Sequence, residues 1–143
     1  MTAQLTTDEK ITIITAGSLA SNASVDWTAL AVTDGPSGAQ EYYYESAFSI
    51  GNALGMTWDK ASILNQSKAV ATEAYQKGIQ CLAGPISQPL GRTVWGGRGG
   101  ESYGPDVYLN GIASGLMAKG FVAGGVIPGA KASVTYITIL GYY

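Results

Sequence analysis

Apolar and polar positions change period several times along this chain, and each change predicts an element. Thr6-Thr-Asp-Glu9 puts a hydroxyl at an N-cap position with a glutamate three residues on, ahead of Ile11, Ile13 and Ile14. That order predicts a short helix from about Thr7. Ser18 to Ser24 is small and polar and reads as loop, after which Leu30-Ala-Val-Thr33 is a short apolar strand halted by Asp34-Gly-Pro-Ser-Gly38. From Thr57-Trp-Asp-Lys60 the spacing becomes helical, with Ile63, Leu64, Val70, Ala71, Ala74 and Tyr75 apolar; Thr57 serves as cap, Asp59 sits in the first turn, and Gly78 is the stop.

A second apolar strand, Ile79-Gln-Cys-Leu-Ala83, is broken by Gly84-Pro85. The loop from Ile86 to Gly104 is long for its place and carries Pro89, Leu90-Gly-Arg92 and Gly96-Gly-Arg-Gly-Gly100. Pro105-Asp106 opens another helix with Leu109, Ile112, Leu116 and Met117 on one face, ending near Lys119-Gly120. Val122 to Ile127 reads as a glycine-interrupted third strand ahead of Pro128-Gly-Ala-Lys131. Strands alternating with helices of this length predict right-handed βαβ units and an α/β class with a parallel sheet. Asp34, Arg92 and Lys131 each lie just beyond the carboxyl end of a predicted strand, the edge where α/β folds bind ligands.

Composition narrows the function. Of 143 residues 46% are apolar, enough for a core. Charge is sparse and the net value is −2, so no basic surface exists to neutralise nucleic-acid phosphates. No apolar run approaches the roughly 18 residues of a membrane span, and the N-terminus shows neither the basic nor the apolar region of a signal peptide. Histidine is absent, which removes the usual general base and the commonest zinc ligand, so no metal or cofactor is expected. Cys81 stands alone in an apolar run, precluding an intramolecular disulfide and favouring a small buried hydrophobe over a reactive thiol.

A set of motifs is more specific than any of these. Thr33-Asp-Gly-Pro-Ser-Gly38, Gly51-Asn-Ala-Leu54, Thr57-Trp-Asp59 and Gly84-Pro-Ile-Ser-Gln-Pro-Leu-Gly-Arg92 occur in that order, followed by Gly96-Gly-Arg98, Glu101, Pro105-Asp106 and Gly129-Ala-Lys131. Together they resemble glycoside hydrolase family 3, especially its fungal β-glucosidases, from about Thr7 to Lys131. The resemblance implies an incomplete (β/α)8 TIM-like barrel, with about the first three βα units in residues 1–131. It also implies a secreted enzyme acting on β-glucosides or cello-oligosaccharides, and it carries sugar-binding roles to Asp34, Arg92 and Lys131. Those residue types suit the task, because a carboxylate accepts hydrogen bonds from neighbouring hydroxyls while Arg and Lys donate to hydroxyl oxygens.

The chain departs from the family pattern at Gln40, where many members have arginine, at Gly99-Gly100, and after Lys131, where residues 132–143 form a β-prone, uncharged tail unrelated to the pattern. The family's nucleophilic aspartate lies beyond Lys131 and its acid/base comes from a later domain, so no catalytic residue is assigned within this chain. Glu101 and Asp106 have no evident claim to either role. An inactive chain with weak sugar contacts is therefore the competing reading.

Each residue also has a plainer reading. Asp34 is a turn aspartate on pattern alone, Arg92 and Arg98 are loop cations, and Lys131 is a strand-end lysine whose functional reading rests on the resemblance. Trp58 and Tyr42-Tyr-Tyr44 are expected to complete a core or cover a helix end, leaving Trp95 as the better sugar-stacking candidate. Asn22-Ala-Ser24 and Asn65-Gln-Ser67 are N-glycosylation sequons. Three barrel strands alone leave open edges, from which marginal folding or self-association is expected.

Overall fold

In the computed structural model, which describes residues 5–15, 28–40, 42–89 and 97–131, three short parallel strands form one sheet in the order β1-β2-β3. They are β1 (Val32–Asp34), β2 (Cys81–Ile86) and β3 (Ile127–Lys131). The helices are α1 (Thr7–Thr15), α2 (Gly51–Gly55), α3 (Lys60–Gln76) and α4 (Val107–Gly124), with a 3₁₀ turn at Gly99–Glu101. The α/β class is as the pattern predicts.

Local chemistry sets most of the helix ends. Thr6 and Glu9 close a reciprocal capping box on α1: the Thr6 N–H donates to Glu9 Oε2 at 2.7 Å and the Glu9 N–H to Thr6 Oγ1 at 3.3 Å. The cap of α3 is Asp59 and not Thr57. The Asp59 carboxylate accepts from Ala61 N at 2.9 Å and Ser62 N at 3.2 Å, whereas the Thr57 hydroxyl turns back to Leu54 O at 2.6 Å. At the far end, the N–H groups of Gly78 and Ile79 bond to Tyr75 O and Ala74 O, a Schellman closure.

The largest correction concerns α4 and β3. The helix does not end near Gly120 but continues to Gly124, so Val122 is helical and the strand begins at Ile127. Gly120 and Gly124, one turn apart, face Ser67 and Ala71 of α3, also one turn apart. A Cβ on Gly120 would stand 2.5 Å from Ser67 Cβ and 2.9 Å from Leu64 O. These glycines bring two helix backbones together rather than stopping one. The stop is Gly125, at a φ of 96° that favours glycine.

Strand β2 is also longer than predicted, running through Gly84-Pro85, a cis peptide. Its pairing with β3 slips by one residue between Ala83 and Ile86, so that Ile86 meets Lys131. Leu82 and Gly84, two residues apart, share the helix-facing side of β2, where the Phe121 ring lies over Gly84. Phe121, Leu82, Ile79 and Val70 are almost fully buried and form the centre of the core with Ala71, Ala113 and Met117, and Ile86 is buried as well. Burying a side chain of the Phe121 size stabilises by roughly 1.5–3 kcal/mol.

Candidate functional site

The site is built at the carboxyl edge of the sheet. Asp34 is the last residue of β1 and Lys131 the last of β3, with β2 between them. The turn after β1 is held by its own backbone: Gln40 N–H donates to Asp34 O at 3.0 Å, and the Thr33 hydroxyl donates to Gln40 O at 3.2 Å. Gly38, at φ 125°, lets the chain reverse there. The Gln40 side chain is exposed.

Across the end of β2, Lys131 Nζ lies 2.7 Å from Asp34 Oδ1. The two side chains are 23% and 42% exposed, so the pair is open to a ligand and partly screened by water. As an ion pair it contributes about 1 kcal/mol or less to stability. Its net charge is zero, and it offers free carboxylate lone pairs beside ammonium donors. That combination suits a neutral polyhydroxylated ligand better than an anion.

Beside it, an open cleft of about 370 Å³ is lined by Ser87, Pro89, Val107, Asn110, Ala130 and Lys131. Asp34 does not line it, so cleft and ion pair share only Lys131. Asn110 is buried and structural: its Nδ2 donates to Gly104 O and, at 2.9 Å, to Asp106 O, while its Oδ1 accepts from Tyr103 N at 3.3 Å. The sequence pattern did not single it out, although a lone asparagine on an apolar helix face is a signal. Tyr103, which it helps to place, donates its hydroxyl to Met117 Sδ at 3.0 Å, and burial pushes that hydroxyl above its usual range.

The other described carboxylates outside α1 have structural tasks. Glu101 is gripped by Arg98 in a fork, Nε to Oε1 at 2.6 Å and Nη2 to Oε2 at 2.8 Å. Asp106 caps α4 by accepting from Leu109 N at 2.6 Å. Asp59 caps α3, Glu45 pairs with Lys77, and Glu73 accepts from Ser46 N. Among the described residues, none of these joins Asp34 as an evident acid/base partner.

Of the three residues expected to bind sugar, the structure brings two together; Arg92 lies outside the described residues, as does Trp95. The tyrosine run and Trp58 do not complete a core. Tyr43, Tyr44 and Trp58 are 89%, 99% and 80% exposed. The Tyr43 and Tyr44 carbonyls accept from Lys77 Nζ, just after the end of α3. Cys81 is half-buried in β2, and burial raises its thiol pKa, in keeping with an inert thiol.

No family model matches the chain. A probable β-glucosidase D of Aspergillus oryzae is 56% identical over 132 residues, 92% of this chain and 17% of that protein. The crystal structure of a β-glucosidase from Chaetomella raphigera superposes with a TM-score of 0.80 at 33% identity, over 90% of this chain and 19% of that one. A family 3 glycoside hydrolase β-glucosidase from Neurospora crassa gives a TM-score of 0.75 at 31% identity, over 80% and 14%. The chain belongs to glycoside hydrolase family 3. It spans under one fifth of the length of these family 3 relatives. Its three-stranded parallel sheet corresponds to part of a family 3 domain.

Proposed function

We propose that residues 1–131 form the first three βα units of a (β/α)8 barrel in a β-glucosidase-type glycoside hydrolase. In it, Asp34, Arg92 and Lys131 hold a terminal β-D-glucosyl ring of a β-glucoside or cello-oligosaccharide. The observation that carries the reading is the Asp34–Lys131 pair at the carboxyl edge of parallel strands, 2.7 Å apart and open to solvent. Asp34 takes the hydrogens of adjacent hydroxyls, and Lys131 donates to a hydroxyl oxygen. Retaining hydrolysis needs a second carboxyl group roughly 5–5.5 Å from the first reacting one. On this reading the nucleophile and acid/base belong to polypeptide other than the described residues, and residues 132–143 stand outside the family pattern. The family resemblance also supports a secreted protein. Among the described residues no helix is long and apolar enough to cross a membrane, and the charge balance gives no footing for nucleic acid.

The structural employment of the other carboxylates favours a second reading, in which this chain alone binds sugar weakly and does not hydrolyse it. Exposed Val32 and Ile127 on the two outer strands favour self-association of the isolated chain. Calorimetry with glucose tests the site: weak heat is expected, lost in Asp34→Ala with little change in melting. Equal heats in the two proteins would remove the assignment. Incubation with an aryl β-glucoside separates the readings, because turnover by the pure chain sinks the inactive one and its absence retires direct catalysis.

A further inference from the structure

The sequon Asn65-Gln-Ser67 falls inside α3, where its two functional residues face opposite ways. Asn65 is exposed on the outer face, whereas Ile63 and Ser67, each two residues and about 200° away, are buried. Ser67 is 4% exposed, donates its hydroxyl to Ile63 O at 2.6 Å, and lies under Gly120 of α4. Asn65 borders an open groove of about 550 Å³ between α3 and the preceding strap, with Phe48, Lys68, Thr72 and Glu73 also in its walls.

We infer that Asn65 is an N-glycosylation site filled before α3 and α4 pack, with the first sugars lying along the groove beside Phe48. The two halves of the sequon differ in what they need. The glycan needs only the Asn65 side chain to remain in solvent, which the helix provides. Transfer needs the hydroxyl of Ser67 and an extended backbone, which the packed helix withholds. The co-reactant is an oligosaccharide carried on a polyprenyl pyrophosphate. Asn65 Nδ2 bonds to C1 of the first N-acetylglucosamine, the C1–oxygen bond to the pyrophosphate breaks with its electron pair leaving on that oxygen, and one amide proton is released. The glycan would be carried on the exposed face of α3. The exposed face of α3 beside Phe48 is thereby shielded.

This rests on the secretory reading above, and the test separates the two by supplying a leader. The whole chain is expressed behind a secretory leader in a eukaryotic host, and Asn65 occupancy is read by peptide mass mapping before and after enzymatic deglycosylation. Occupied Asn65, with occupancy abolished in Ser67→Ala, is the expected result. An unmodified Asn65, or a glycan that survives Ser67→Ala, overturns the site without bearing on the native compartment. For the order of events, unglycosylated chain is treated with purified oligosaccharyltransferase and its lipid-linked donor. The urea-unfolded chain, diluted directly into the reaction, gains the glycan and the folded chain does not. Equal modification of both overturns the inference that filling precedes packing.

Discussion

Gly120→Ala sets local and tertiary energetics against each other. In an exposed helix interior, alanine is favoured over glycine by about 0.8–1 kcal/mol, so helix propensity by itself predicts stabilisation. At this position the new methyl would stand 2.5 Å from Ser67 Cβ, 2.9 Å from Leu64 O and 3.0 Å from Lys68 N. Ordinary contact begins at 3.4 Å, and two of the three obstacles are backbone that cannot rotate aside. The helices must therefore separate by nearly an ångström, loosening Phe121, Met117 and Val70 together. Overpacking of this kind costs about 1–3 kcal/mol, so after the propensity gain the net expectation is destabilisation by up to about 2 kcal/mol. Gly115→Ala is the matched control. It lies on the same helix, is exposed, and has nothing within 4 Å of the added Cβ, so only propensity acts and stability rises by about 0.5–1 kcal/mol. Urea unfolding followed by circular dichroism measures both. Stabilisation by Gly120→Ala matching that of Gly115→Ala would refute the close-packed seam.

Asn110→Ala removes the group that ties α4 to Tyr103, Gly104 and Asp106, leaving buried backbone unpaired; a loss of about 2–4 kcal/mol is expected in the same assay, and a loss below about 0.5 kcal/mol would deny it a structural role. The Asp59 carboxyl is held below its ordinary range, first by the Ser62 hydroxyl and then by the Ala61 N–H. A depressed carboxyl contributes stability above its unfolded pKa and loses it as pH falls through the folded one. Asp59→Asn should therefore flatten the acid limb of a melting-temperature profile, and an unchanged limb would show that the cap charge contributes nothing. Cys81 should react slowly with a disulfide reagent near neutral pH and fully in denaturant, since burial raises its thiol; immediate reaction in the folded chain would contradict its placement in β2.

The sequence alone determined what is local or strictly periodic. The Thr6–Glu9 box starts α1, the apolar spacing from Ile63 to Tyr75 makes α3, and alternating strands and helices specify a parallel sheet, because each signal is spent within a turn or two of chain. The motifs from Asp34 to Lys131 were likewise enough to name the family. Tertiary structure decided the rest. Gly120 and Gly124 look like breakers until α3 lies against them, since whether a missing Cβ ends a helix or admits a neighbour depends on what faces it. Asp59 and not Thr57 is the cap because the helix begins only at Lys60, which puts the Asp59 carboxylate in reach of the Ala61 and Ser62 N–H groups. The tyrosines, apolar enough for a core, remain exposed, with Lys77 holding the Tyr43 and Tyr44 carbonyls. Sequence placed Asp34 and Lys131 each at the end of a strand. Their meeting at 2.7 Å came only from the parallel sheet: its register sets Asp34 level with Ala83 and Gly129, and the long Lys131 side chain spans β2 from two residues further along β3.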